Sequence, residues 1–139
     1  MQFRNIFSGI ALLAATVTAL DTPLDIQKTV TKDCAESEKS KNGDQIWVHY
    51  RGKLESTGKE FDASYNRGDP LSLKLGGGQV IRGWEEGLGG MCPGEERTLT
   101  IQPEWGYGSR GMGPIPANSV LVFETKLVSI NKPPTKDEL

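Results

Sequence analysis

One stretch constrains this chain more than any other: Val80-Ile81-Arg82-Gly83-Trp84-Glu85-Glu86-Gly87-Leu88, with Gly76-Gly77-Gly78 before it and Gly89-Gly90 after. Between these breakers Ile81, Trp84 and Leu88 recur at i, i+3 and i+7, the spacing of one helix face, while Glu85 and Glu86 point the other way. The pattern predicts a helix of about two turns with an indole on its buried side. Alone in water such a helix is marginal, so packing against the rest of the chain must hold it. Everything around it reads as strand and turn. A lone short helix laid on a sheet, with a Trp facing inward, can floor an apolar pocket.

Residues 21–33 predict a first strand carried by Ile26 and Val30, followed by a charged loop that ends at the turn pair Asn42-Gly43. From Gln45 to Arg51 the chain alternates, with Ile46, Val48 and Tyr50 on one face and Trp47 and His49 on the other. Glu60-Phe61-Asp62 then leads into a polar loop through Ser64, Asn66 and Gly68. Leu71, Leu73 and Leu75 form the next alternation, and Leu99 and Ile101 face inward in another after the helix. Residues 103–118 hold too many glycines and prolines for a regular element, and loops of that length are uncommon unless functional. The last strand places Leu121, Phe123 and Leu127 on one face, with Val122 and Val128 on the other. Strands in sequence with one helix between them predict an α+β domain built on an antiparallel sheet.

With 139 residues, 36% of them hydrophobic, the chain has apolar material for a single core. A net charge of −2 and scattered basic residues give no hint of a nucleic-acid-binding surface, and no nucleic-acid partner is expected. Residues 1–20 read as a signal peptide: Arg4 supplies the positive start, the run from Ile6 to Leu20 is apolar, and Val17-Thr18-Ala19 offers a cleavage site. The rival is a membrane anchor, but the run is short for a span of about 20 apolar residues and Ser8, Thr16 and Thr18 weaken it. No membrane span is expected after cleavage. Residues 132–139 read as an exposed tail in which Pro133-Pro134 form a stiff stalk for Lys136-Asp137-Glu138-Leu139. Those four residues match the retrieval signal of the endoplasmic reticulum, against the duller reading of an accidental acidic tail. The expected location is that lumen, with a retrieval receptor as partner.

Two cysteines, Cys34 and Cys92, fit an oxidising compartment and predict one disulfide; two buried free thiols are the alternative. The bridge would close a loop worth about 4 kcal/mol of chain entropy. Two Cys and one His cannot fill the four positions of a zinc site. Gly106-Tyr107-Gly108-Ser109-Arg110-Gly111 matches G-x-G-x-x-G, yet a dinucleotide fingerprint must open a helix, and Met112-Gly113-Pro114-Ile115-Pro116 cannot. His49, the only histidine, has no nucleophile setting around it and reads as a sheet or surface residue. Glu85 and Glu86 read as a solvated helix face. No cofactor or metal is implied. Tyr50, Phe61, Trp84, Tyr107 and Phe123 come from five segments, and from pattern alone they make either a core or a pocket.

Taken in order, Val48-His49-Tyr50, Phe61-Asp62-Ala63-Ser64, the block from Gly78 to Leu88, Gly106-Tyr107-Gly108 and Leu121-Val122-Phe123-Glu124 resemble the FK506-binding-protein family of peptidyl-prolyl isomerases. The resemblance runs from about residue 25 to 130, and the two cysteines with both terminal signals look like the family's small lumenal branch. It implies an isomerase domain over residues 21–131, with a five-stranded antiparallel sheet wrapped around the short helix. Trp84 would floor the pocket, and Tyr50, Phe61, Val80, Ile81, Ile115 and Phe123 would wall it. The Ile81 N–H and the Tyr107 hydroxyl would bond ligand carbonyls, while Asp62 would sit at the rim paired with Arg67. Leu71 stands where many members carry an aromatic.

The resemblance further implies proline-containing polypeptide clients, macrolides of the FK506 and rapamycin type, and rotation of X-Pro bonds without covalent chemistry. A monomer is expected, since no oligomerisation seam is visible. The competing reading is a non-catalytic binding module or chaperone that uses the same pocket for apolar segments.

Overall fold

Ile46, Val48 and Tyr50 put their side chains on one face of the strand that becomes the spine of the sheet, and all three are buried. A computed structural model describes residues 22–139; the leader expected at residues 1–20 lies outside the described residues. The elements follow as β1 (Leu24–Val30), β2 (Gln45–Leu54), β3 (Glu60–Ala63), β4 (Leu71–Lys74), α1 (Arg82–Gly87), β5 (Glu96–Ile101) and β6 (Leu121–Ile130). Every pairing is antiparallel, in the order β1-β5-β6-β2-β3, with β4 also on β2. β4 pairs with residues 45–48 of β2 and β3 with residues 51–53, so the two short strands share one edge. The α+β sheet is therefore five strands wide, as expected, with its last position split between two segments.

The core lies between the concave face of this sheet and α1. Leu73, Leu75, Leu88, Leu99, Ile101, Leu121 and Leu127 are fully or almost fully buried there around Trp84. Two glycines let the helix approach. A Cβ on Gly83 would come within 2.5 Å of Ile101, and one on Gly87 within 2.8 Å of Leu99. Helix and sheet thus meet backbone to side chain, which brings the six-residue α1 close enough to be held by packing.

At its end α1 leaves carbonyls without helical partners. Arg97, on β5, supplies the donors: Nη1 donates to Gly87 O at 2.9 Å and Gly89 O at 2.8 Å, and Nη2 to Gly90 O at 3.1 Å. Glu95 neutralises the buried guanidinium, accepting from Nε at 2.7 Å. Its other oxygen accepts from the Cys92 N–H at 3.1 Å. Cys92 itself is bridged to Cys34, with Cα atoms 5.9 Å apart, so the expected disulfide ties the segment after β1 to the turn after the helix.

Four features differ from the sequence reading. β3 is a strand, although Glu60-Phe61-Asp62 is too short and too charged to show an alternation. Ile26 and Val30 are exposed, because β1 lies at the edge of the sheet and only Leu24 packs on the core. Val128 is buried where the alternation would turn it out, since a bulge opposite Trp47 and Val48 shifts the register there. Glu85 is bonded rather than merely solvated, accepting the N–H groups of Gly76 at 2.8 Å and Gly78 at 2.9 Å.

Candidate functional site

Trp84 is held on the inner side of α1 by the i, i+3, i+7 face, with 4% of its surface exposed, and three aromatic rings gather near it. Tyr50 from β2 meets the indole edge-on at 5.0 Å, and Phe123 from β6 does so at 5.3 Å. Phe61 from β3 stands edge-on to Phe123 at 5.6 Å. A bulge in β3 re-aims Phe61: Gly52 faces Asp62 and Lys53 faces Glu60, which leaves Phe61 as the extra residue. These rings enclose a cavity of about 130 Å³, completed by Leu71, Val80, Ile81, Gln79, Asp62 and Tyr107.

The clamp between Glu85 and Gly76 and Gly78 shapes the loop that delivers Gln79, Val80 and Ile81 to one wall. Tyr107 arrives from the glycine-rich loop after β5, where the chain turns through a short 3-10 segment, Pro103–Trp105. Arg82 covers the ring of Trp105, its guanidinium carbon 4.2 Å from the centroid, and so joins the start of α1 to that loop. The contact ties the segment that carries Ile81 to the segment that carries Tyr107, both of which line the cavity.

At the rim, one closed ring of hydrogen bonds holds the polar groups. The Tyr50 hydroxyl donates to Asp62 Oδ2 at 2.5 Å, while Arg67 donates to Asp62 Oδ1 at 2.9 Å and to the Tyr50 oxygen at 2.7 Å. Partial burial alone would raise the Asp62 carboxyl, but the hydrogen bonds from Tyr50 and Arg67 outweigh it and hold the carboxyl below the usual carboxylate range. Burial, then the bond to Asp62, pushes the Tyr50 phenol up, with Arg67 opposing. Burial, then the Asp62 charge, does the same to Tyr107. At neutral pH the site therefore carries a fixed carboxylate and two neutral phenols, with no group poised as a general base near pH 7. Trp84 Nε1 is the one buried side-chain polar atom without a hydrogen-bond partner among the described residues. No cluster of metal-ligating side chains occurs among the described residues.

Nine of the eleven pocket residues expected from the sequence line this cavity: Tyr50, Phe61, Asp62, Leu71, Val80, Ile81, Trp84, Tyr107 and Phe123. Arg67 lies outside it and reaches it through Asp62. Ile115 does not line it; it is buried in the core cluster, where an isolated bridge to Met112 closes a small hairpin. Gln79 lines the cavity without having been expected. His49 is buried in the sheet and its Nδ1 lies 2.7 Å from Ser64 Oγ. Ser64 Oγ also accepts the Tyr50 N–H at 2.8 Å, bracing the strand beneath the Tyr50 ring. Neither support leaves a mark in a single sequence, because Ser64 sits in a polar stretch that reads as loop.

Residues 36–128 match the model of the family described as FKBP-type peptidyl-prolyl cis-trans isomerase. The chain belongs to that family. FK506-binding protein 2 of Aspergillus oryzae is 51% identical over 139 residues, covering the whole of both chains. The protein of that name from Gibberella zeae is also 51% identical over 139 residues, which are all of this chain and 69% of that one. The crystal structure of AtFKBP13 superposes with a TM-score of 0.69 at 41% identity, covering 76% of this chain and 91% of that one. The sheet-and-helix architecture is thus the FKBP fold, and the activity that goes with it is cis-trans isomerisation of peptidyl-prolyl bonds. The non-catalytic reading gives way to an FKBP-type enzyme.

Proposed function

We propose that the Trp84-floored cup is the isomerase site and that it acts on proline-containing polypeptides of the secretory pathway. The observation that carries this is the cup itself: three rings and an indole enclose a small cavity whose only charged group, Asp62, is held at the rim by Tyr50 and Arg67. An X-Pro amide rotates over a barrier of about 18–20 kcal/mol because twisting destroys C–N resonance. The planar amide is the more charge-separated form, and water stabilises it through the carbonyl. Moving the bond into an apolar cup withdraws that stabilisation and favours the twisted form, and only such differential binding accelerates the step. About 7 kcal/mol of preference corresponds to roughly five decades of rate.

In this reading the proline ring rests on Trp84 between Tyr50, Phe61 and Phe123. The Ile81 N–H and the Tyr107 hydroxyl receive carbonyls on either side of the rotating bond. Asp62, oriented by Arg67, places a fixed negative charge at the mouth. Leu71 supplies less wall than an aromatic ring would and leaves that side of the cup more open. The named relatives are FK506-binding proteins, and a macrolide of the FK506 or rapamycin type is the expected competitor for the same cup.

We further place the enzyme in the lumen of the endoplasmic reticulum, as a monomer, with residues 1–20 removed as a signal peptide. Supporting this are the disulfide, which suits an oxidising compartment, and the exposure of all four residues of Lys136-Asp137-Glu138-Leu139 to a retrieval receptor. No helix among the described residues is long and apolar enough to cross a membrane.

The test is isomerisation of a short X-Pro peptide, with and without an FK506-type macrolide. Acceleration that the macrolide abolishes is the expected result. Acceleration that persists under saturating macrolide would place catalysis outside this cup.

A further inference from the structure

Gly52 is buried on the inner face of β2, two residues beyond Tyr50, in register with Phe123 of β6 and Asp62 of β3. Its backbone lies outside the left-handed region, so nothing in the chain conformation calls for glycine. What calls for it is space. A Cβ built there would stand 2.7 Å from Phe123 Cε1, 2.7 Å from Phe61 Cζ and 2.8 Å from Phe61 Cε1. All three of these nearest atoms are far ends of aromatic side chains, and none is a backbone atom. The two rings seat their edges on the bare backbone of one residue, and they meet each other edge-on at 5.6 Å.

We infer that Gly52 is a positioning residue for isomerisation: the absence of its side chain is the socket that sets where Phe61 and Phe123 stand in the cup. A methyl group there would leave the strand paired and push both rings off their seats. The inference rests on the reading that Phe61 and Phe123 wall the proline site. It adds that a residue which does not line the cavity governs the wall.

The experiment compares Gly52→Ala with Gly89→Ala, a glycine with open space around its Cβ and no positive φ. Both are measured in the wild-type chain and in the background Phe61→Leu/Phe123→Leu, for kcat and KM on an X-Pro peptide and for thermal midpoint. Displacing a positioned wall by about 1 Å can cost up to roughly a hundredfold, so Gly52→Ala is expected to lower kcat/KM by at least about tenfold in the wild-type chain. In the leucine background the same substitution should cost less than about threefold, because the ring edges that it strikes are gone. Gly89→Ala should leave kcat/KM within about twofold in both backgrounds.

An unchanged kcat/KM for Gly52→Ala, or an equal loss in both backgrounds, would overturn the inference. If Gly52→Ala does not fold, the leucine background decides. Recovery of a folded protein there supports the socket, and failure there too overturns it. Should Phe61→Leu/Phe123→Leu alone leave kcat/KM unchanged, the wall reading itself fails, which is a separate result.

Discussion

The Tyr50 hydroxyl donates to Asp62 Oδ2 across 2.5 Å, and it is the bond that makes the rim of the cup and its wall one unit. Tyr50 also packs on Trp84 and Phe123, so the group that orients the carboxylate is itself oriented by the floor. Because the folded-state pKa of Asp62 is lowered, its bonds contribute stability above the unfolded value, near 3.9, and that contribution is lost as pH falls through the folded value. The Asp62 and Arg67 side chains are 42% and 50% exposed, so screening holds this term to about 1 kcal/mol or less. Urea unfolding should separate wild type from Asp62→Asn at pH 7, with the gap narrowing at pH 3. A gap that widens on acidification would reverse the sign of the argument.

Activity should not depend on a titrating group near neutrality. Tyr50 and Tyr107 are pushed above the ordinary phenol value near 10, and Asp62 is held below the ordinary carboxylate value. A plot of kcat/KM against pH is expected to be flat from about pH 5 to pH 9. A bell centred between those limits would indicate general acid–base catalysis, which this geometry does not supply.

The disulfide should matter for stability and little for catalysis. Cys34 and Cys92 are 58 residues apart in sequence, and closing that loop is worth about 4 kcal/mol in the chain-entropy model. Neither cysteine lines the cup. Replacing both with serine should lower the unfolding free energy measured by urea titration by an amount of that order. Isomerisation by the folded fraction at 25 °C should stay within about twofold.

Two ion pairs should behave oppositely. Arg97 and Glu95 are 5% and 6% exposed, and the same guanidinium donates to the last carbonyl of α1 and to two carbonyls of the turn after it. Removing it leaves the buried Glu95 charge unpaired and the buried Gly87 carbonyl without its donor, so Arg97→Ala should cost roughly 3–5 kcal/mol in equilibrium unfolding. Lys53 and Glu124, 36% and 51% exposed, form an equally visible pair on the surface. Lys53→Ala should change stability by about 1 kcal/mol at most. Comparable losses for both substitutions would show that burial does not set the difference.

What was legible in the sequence was whatever periodicity writes down. Ile81, Trp84 and Leu88 announced one helix face, and Leu71, Leu73 and Leu75 announced a strand, because burial on one side forces those spacings. The aromatic cup was legible only through the order of its motifs, since Tyr50, Phe61, Trp84, Tyr107 and Phe123 are brought together by tertiary structure. β3 was not legible: four residues carry too little pattern, and the bulge at Phe61 breaks what there is. Ile26 and Val30 misled because apolar residues also occupy exposed edge strands. The bonds of Glu85 to two glycine N–H groups, the capping by Arg97 and the seat at Gly52 depend on which atoms end up adjacent, and composition is silent about that.

The central claim is that an apolar cup floored by Trp84 speeds rotation by binding the twisted bond better than the planar one. Trp84→Leu tests it most directly, since leucine keeps the helix face apolar while removing the indole floor. Measured on an X-Pro peptide and corrected for the folded fraction, kcat/KM should fall by at least about tenfold, a loss of at least about 1.4 kcal/mol of transition-state stabilisation. A folded Trp84→Leu protein that isomerises the peptide as fast as the wild type would contradict the account.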